Sequence, residues 1–210
     1  MNATLAKKVF LVLATAITTI GLLLQCYIIV HRADTEGTSY WSSAVLTLSY
    51  MTIWTNIILC VTFWLILLRK DNGLSPSFQS ALLSFILIVG VVYHLLFAHL
   101  WQPTGVQLIT DKIFHYIAPV LYLIYWALIL PKQRLPVYIV LTWLLYPLVY
   151  ATFTLARGLY TSIYPYPIFD LNKLSISSVA LNTTGIFMAY LVTGIVIILV
   201  NNVIANRRKA

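Results

Sequence analysis

The sequence predicts an all-α membrane protein, a bundle of six transmembrane helices, from its composition, its apolar stretches and the placement of its basic residues. The chain has 210 residues, of which 61% are hydrophobic and 9% are charged, and its mean hydropathy is +0.92. Soluble domains carry about 25% charged residues, so this inventory cannot cover a surface that faces water. The composition therefore argues against a soluble enzyme, a nucleic-acid-binding domain and a disordered chain.

The first three spans are apolar stretches of the length, roughly 20 residues, that a helix needs to cross the bilayer core. They cover Val9–Val30, Ala44–Leu68 and Phe78–Ala98. The first stretch is too long for an ordinary signal-peptide core and has no convincing small-residue cleavage site, so it is predicted to stay as a helix. The short connection Arg69–Ser77 separates the second span from the third.

The last three spans follow the segment Pro103–Gly105. Pro119 lies within the fourth span and predicts a local kink, because proline removes a backbone hydrogen bond. The fourth span ends at Leu130, the fifth covers Leu135–Ala156 and the sixth covers Ser178–Ala205. Since the chain has no internal repeat and no long linker, residues 1–210 are predicted to form a single domain.

The basic residues predict the topology, because cytoplasmic loops carry an excess of lysine and arginine. With the N-terminus inside, nine of the 13 lysines and arginines fall on the inner side and four on the outer side. The inner ones are Lys7, Lys8, Arg69, Lys70, Lys132, Arg134, Arg207, Arg208 and Lys209, and the outer ones are Arg32, Lys112, Arg157 and Lys173. Both termini are therefore predicted to be cytoplasmic, and we expect an integral, multi-pass protein of the plasma membrane.

The outer loops are the longer ones, and loops on one side of a rigid scaffold often carry function. These loops lie around His31–Ser43, His99–Thr104 and Gly158–Ser177. Four of the five acidic residues also lie on this side, namely Asp34, Glu36, Asp111 and Asp170. The sequence therefore predicts a functional site in the outer half of the protein.

Three polar residues form the candidate catalytic set. Thr52 lies about nine residues, roughly 13 Å, from the outer end of its span, and His115 lies about ten residues into the fourth span. Asp111 precedes His115 by four residues, so its carboxylate can reach the imidazole ring on a helix. A hydroxyl, an imidazole and a carboxylate are the parts of a nucleophile–base–orienter arrangement. The structural alternative stays open, since membrane threonines often bond to their own helix and an interior histidine can simply be hydrogen-bonded.

Amides and hydroxyls within the spans are candidates for supporting roles. Asn56 lies on the helix face of Thr52, and its amide or the nearby Thr55 hydroxyl can stabilise an oxyanion. Asn182 has the same two possible uses as Asn56, an oxyanion donor or a hydrogen bond between helices, and packing is the plainer role for both.

The sequence predicts no metal site and no cofactor. His94 and His99 are five residues apart, which is poor spacing for sharing a metal ion on one helix face. Cys26 and Cys60 both lie inside apolar stretches and indicate neither a disulfide framework nor a metal site.

The outer segment from Arg157 to Asp170 contains two Tyr-Pro pairs, which begin at Tyr164 and Tyr166. Each proline fixes its own φ and biases the preceding residue toward an extended conformation, so this run is predicted to be stiff. One interpretation is an aromatic belt at headgroup level. The other is a lid over a cavity that opens outward, with Arg157 and Asp170 paired with each other or placed to meet a substrate headgroup.

The segments Tyr50–Asn56, Phe114–Pro119 and Arg157–Asp170 carry a resemblance to a known family. They resemble the predicted six-helix membrane proteins related to the androgen-induced protein and the androgen-dependent TFPI-regulating protein, and are most similar to the bacterial branch. Animal members hydrolyse fatty acid esters of hydroxy fatty acids with a membrane threonine and a histidine. The resemblance implies that Thr52 is the nucleophile and His115 the catalytic histidine, whereas Asp111 is not part of it.

Two functions of different classes follow. The first is an intramembrane lipid ester hydrolase with Thr52 as nucleophile and His115 as base, which requires the two side chains to lie about 2.6–3.2 Å apart, or somewhat further without substrate. The second is a non-catalytic lipid-binding or small-molecule transport protein, and a structural or signalling partner is a third. A pocket of the second kind would be lined by Tyr93, Tyr116, Tyr122 and Tyr125. The expected partners are a lipid substrate and the bilayer but no nucleic acid, and the sequence does not fix an oligomeric state.

Overall fold

The computed structural model describes residues 3–68 and 73–207, and no strand occurs within these ranges. Its α-helices are α1 (Ala3–Glu36), α2 (Tyr40–Thr47), α3 (Met51–Leu68), α4 (Pro76–Val92), α5 (Gly105–Lys112), α6 (Ala118–Ile124), α7 (Val140–Trp143), α8 (Leu145–Thr161) and α9 (Ile176–Arg207). Three π-helical turns, Tyr93–Phe97, Ile113–Ile117 and Tyr125–Ile129, extend these helices within the third and fourth spans.

Six helical stretches are long and apolar enough to cross a membrane, and they confirm the predicted all-α membrane protein with six spans. They are Thr4–Glu36, Met51–Leu68, Pro76–Phe97, Gly105–Ile129, Val137–Thr161 and Ile176–Arg207. Arg69, Lys70, Arg208 and Lys209, which the topology prediction assigns to the inner side, lie outside the described residues. The orientation of the termini stays a prediction.

The chain divides into two compact units, Met1–Pro131 and Lys132–Ala210. The prediction of a single domain stays a prediction. In the first unit, α1 packs against α3 and α5, and α4 packs against α3 and α6. Gly21 lets α1 also approach the π-helical turn Ile113–Ile117, because a Cβ at this position would lie 2.8 Å from Ile113 Cγ2 and 2.9 Å from a ring carbon of Phe114. The helix pair α1 and α3 thus closes onto the segment that carries His115.

The predicted second span is interrupted at residues 48–50, which separate α2 from α3. The backbone hydrogen bonds here span three residues instead of four. Ser49 N–H donates to the Leu46 carbonyl and Tyr50 N–H donates to the Thr47 carbonyl, both at 3.1 Å. The Trp54 indole N–H donates to the Leu48 carbonyl at 2.6 Å and so satisfies an acceptor at the interruption. Thr52 consequently lies in the first turn of α3 rather than nine residues into an unbroken helix.

A polar network sits in the core of the first unit around Gln79, whose side chain is buried. The Tyr125 hydroxyl donates to Gln79 Oε1 at 2.7 Å, and the Tyr122 hydroxyl donates to the Gln79 carbonyl at 3.1 Å. Both tyrosines are fully buried, so their hydroxyls serve the core rather than the wall of an open pocket.

In the second unit, α9 packs against α7 and α8. The side chain of Asn202 holds the start of this unit, because it accepts from the Leu135 N–H at 2.9 Å and donates to the Leu135 carbonyl at 2.8 Å. Nearby, Asn201 donates to the Gln133 carbonyl at 2.7 Å, and Arg134 donates to Asn206 Oδ1 at 2.7 Å. These asparagine contacts satisfy the backbone of the connection that precedes the fifth span.

Candidate active site

The structure brings Thr52 and His115 together in the first unit. Thr52 lies in the first turn of α3, and His115 lies in the π-helical turn Ile113–Ile117. Thr52 Oγ1 is 3.3 Å from His115 Nε2, which is a long hydrogen bond. This distance lies at the loose end of the range expected for a nucleophile and its base without substrate.

Asp111 occupies the other side of the imidazole. His115 Nδ1 lies 3.1 Å from Asp111 Oδ1 and 3.1 Å from the Asp111 carbonyl oxygen. Both of these oxygens are acceptors, so Nδ1 carries the proton and Nε2 presents its lone pair toward the Thr52 hydroxyl. The His115 and Asp111 side chains are only 13% and 6% exposed, which shields this hydrogen bond from water.

Pro119 explains the irregular helical conformation of the backbone around His115. A proline has no N–H, so Pro119 cannot donate to the His115 carbonyl as residue i+4 of an α-helix would. The spacing of the backbone hydrogen bonds instead increases from four residues to five, and Ala118 N–H donates to the Ile113 carbonyl. The kink predicted at Pro119 therefore takes the form of a π-helical turn, a feature that is often found at functional sites.

Tyr93, which the sequence suggests only as a lining residue of a non-catalytic pocket, contacts the candidate base directly. Its ring is stacked on the His115 ring, with the centroids 3.6 Å apart and the planes 8° from parallel. Its hydroxyl also interacts with the Asp111 carboxylate. With 14 tyrosines in a largely apolar chain, no spacing rule distinguishes this one, and only the tertiary contact of the third and fourth spans identifies it.

The two supporting residues predicted on α3 are engaged with the backbone. The Asn56 amide donates to the Thr52 carbonyl at 2.9 Å and to the Phe114 carbonyl at 3.5 Å, so it links α3 to the segment beside His115. The Thr55 hydroxyl donates to the Met51 carbonyl at 2.9 Å. Both donors thus bond to backbone carbonyls, and their oxyanion role stays a prediction.

An aromatic and cationic cluster borders the site. His94 Nδ1 lies 3.2 Å from the Tyr116 hydroxyl, and the Lys112 ammonium lies 4.7 Å from the centroid of the Tyr116 ring. The rings of Tyr93 and Tyr116 meet edge to face at 6.2 Å. This cluster extends the site from the half-buried His115 toward exposed side chains.

The remaining predicted residues belong to the second unit, where the outer segment is held in place. Tyr164 packs on Gly158, since a Cβ at that glycine would overlap its ring. Asn182 Nδ2 donates to the Ile168 carbonyl at 2.9 Å. Tyr166 packs edge to face with Tyr150 and Phe169. Asn182 therefore fastens the segment to α9.

The predicted pairing of Arg157 with Asp170 is not formed. Arg157 Nη1 donates instead to the Ile163 carbonyl at 3.0 Å. Asp170 lies 3.7 Å from Lys173 Nζ and accepts from the Asn172 N–H at 3.0 Å. Lys173 is only three residues from Asp170 in the sequence, so this pair forms locally. A pair with Arg157 would instead have to span the segment.

Within residues 3–68 and 73–207, no three His, Cys, Asp or Glu side chains converge on a point that could hold a metal ion. No family model, no curated protein and no solved structure matches this chain. The relationship to the six-helix family therefore stays a prediction that rests on the segments named above.

Proposed function

We propose that this protein is an intramembrane lipid ester hydrolase in which Thr52 is the nucleophile and His115 the general base. The observation that carries the proposal is the continuous hydrogen-bonded series from Thr52 through His115 to Asp111. Its two links measure 3.3 Å and 3.1 Å. A threonine hydroxyl is a weak nucleophile until a base takes its proton, and a neutral imidazole does this near physiological pH.

The first half of the reaction is acyl transfer to the protein. Thr52 Oγ1 attacks the ester carbonyl while its proton passes to His115 Nε2, and the resulting imidazolium is stabilised by Asp111. The tetrahedral intermediate then collapses, the carbon–oxygen bond to the alcohol breaks, and His115 gives the proton to the departing oxygen. The products are an alcohol and an acyl ester of Thr52.

The second half returns the protein to its starting state. A water molecule attacks the acyl-threonine carbonyl and gives its proton to His115, which then protonates Thr52 as the acid leaves. Thr52 lies at the first turn of an apolar span and not at its centre, so water needs to pass only a short distance to reach it. The helix dipole of α3 also favours negative charge at this end of the helix.

The substrate class follows from the setting and from the family resemblance. The spans offer an apolar environment for acyl chains, so the expected substrate is a lipid ester that enters from the bilayer. The resemblance points to fatty acid esters of hydroxy fatty acids. The expected location is the plasma membrane.

Hydrolysis of such an ester by membranes that carry the wild type and variants tests this proposal. Thr52→Ala should reduce the rate to background, and His115→Ala should reduce it about 10²–10⁴-fold, the usual contribution of a general base. Thr184→Ala and His99→Ala are matched controls, because Thr184 donates to the Ala180 carbonyl of its own helix and His99 is exposed. Full activity in either site variant would overturn the proposal.

A further inference from the structure

Tyr93 contacts both residues on which Thr52 depends. Its ring covers one face of the His115 imidazole, with the centroids 3.6 Å apart and the planes 8° from parallel, and its hydroxyl interacts with the Asp111 carboxylate. A carboxylate has about four acceptor positions, so Asp111 can take both the Tyr93 hydroxyl and the His115 Nδ1–H. The Tyr93 side chain thus covers one ring face of His115 and also meets Asp111, which accepts the hydrogen bond from His115 Nδ1.

The backbone is π-helical at both Tyr93 and His115. Tyr93 begins the π-helical turn Tyr93–Phe97, and His115 lies within the π-helical turn Ile113–Ile117. A π-helical turn inserts an extra residue into the helix and rotates the side chains that follow, and such turns are frequently found at functional sites. Side chains of the two turns meet, because Tyr93 stacks on His115 and His94 Nδ1 lies 3.2 Å from the Tyr116 hydroxyl.

We infer that Tyr93 is a positioning residue, which holds the imidazole of His115 in the tautomer and rotamer that accept the Thr52 proton. The inference rests on the proposed function for its catalytic consequence. The stacked ring resists rotation of the imidazole, and the hydroxyl holds the carboxylate at Nδ1. Tyr93 acts through His115 and Asp111, so it does not need to touch the ester.

Two substitutions separate the contributions of the ring and the hydroxyl. Tyr93→Phe keeps the stacked ring and removes the hydroxyl that can donate to Asp111, so kcat should fall about tenfold, as expected for one hydrogen bond to a charged group. Tyr93→Leu loses both contacts, and a base that is free to rotate should cost about 100-fold in kcat. KM should stay at the wild-type value in both variants, because neither contact involves the lipid.

The matched control is Tyr27→Leu. Tyr27 is stacked on another histidine, His31, with the centroids 5.7 Å apart and the planes 4° from parallel. This variant removes a tyrosine from a histidine stack that includes none of Thr52, His115 and Asp111, and it should leave kcat unchanged. A loss equal to that of Tyr93→Leu would show a general effect on folding and would overturn the inference.

Nitrogen-15 NMR of labelled histidine in detergent micelles tests the positioning role without a substrate. The His115 signals, assigned by their loss in His115→Gln, should report one tautomer with the proton on Nδ1 in the wild type and in Tyr27→Leu. In Tyr93→Leu they should report a mixture of the two tautomers. An unchanged single tautomer in Tyr93→Leu would overturn the inference, even if Thr52→Ala abolishes hydrolysis and so supports the proposed function. Failure of the proposed function would appear separately, as full hydrolysis by Thr52→Ala.

Discussion

The carbonyl oxygen of His115 faces Gly90 so closely that a Cβ placed on this glycine would lie 2.8 Å from it. The same Cβ would lie 3.3 Å from Cγ of Pro119. Pro119 has no N–H to offer this oxygen, and the absence of a side chain at Gly90 lets α4 approach it. The position of the proposed base is thus set in part by a glycine on a different span.

Gly90→Ala should lower the rate of ester hydrolysis. The added methyl group must displace the His115 backbone or α4, and a displacement of about 1 Å at a catalytic group can cost about 100-fold in rate. Steady-state kinetics of the purified protein measure the effect, which we expect in kcat. Gly185→Ala is the matched control, because its Cβ would meet nothing within 4 Å. Equal kcat in the two variants would contradict this prediction.

Gly158→Ala should loosen the outer segment. The new Cβ would overlap the Tyr164 ring, so Tyr164 must leave its place on α8. Tryptic cleavage after Lys173, whose side chain is 79% exposed, measures how firmly the segment is held. Cleavage should be faster than in the wild type or in Gly185→Ala. If the rates are the same in all three proteins, the Tyr164–Gly158 contact does not hold the segment.

The Tyr40 hydroxyl should ionise at higher pH than an ordinary tyrosine. It donates to Asp34 Oδ1 at 2.6 Å, and this hydrogen bond and the charge of Asp34 raise the pKa of Tyr40 above its usual 10.0. The contact is therefore complete below pH 10.0 and is lost as the pH rises through the higher pKa of the folded protein. The difference in tyrosinate absorbance between the wild type and Tyr40→Phe measures this titration.

Asp34→Asn is the control for the Tyr40 titration. It removes the charged acceptor, so the Tyr40 absorbance change should move down toward pH 10.0. No movement on substitution of Asp34 would show that the carboxylate does not perturb the Tyr40 hydroxyl.

The spans were predictable from the sequence, but the interruption of the second span was not. Span number depends on long apolar stretches, which composition reveals directly. Residues 48–50 contain neither glycine nor proline, so no local signal marks the interruption. It is stabilised by the contact of the Trp54 indole with the Leu48 carbonyl, which involves a side chain six residues away. The prediction that Thr52 lies about nine residues into an unbroken helix was therefore wrong.

The candidate site was predictable as far as local spacing determines it. Asp111 and His115 are four residues apart on one helix, so their contact follows from helix geometry. The approach of Thr52 to His115 required an estimate of depth in two separate spans, and the family resemblance named the same pair. Tyr93 could not be found in this way, since its stack on His115 depends on two adjacent π-helical turns.

The most direct test of the central claim is to map the site at which a fluorophosphonate ester modifies the protein. Such a probe phosphonylates an activated hydroxyl nucleophile, and mass spectrometry of the digested protein identifies the residue. The account predicts one adduct on Thr52, competed by the lipid ester and lost in both Thr52→Ala and His115→Ala. An adduct on another residue, or labelling of Thr52→Ala at the wild-type level, would contradict the assignment of Thr52 as the nucleophile.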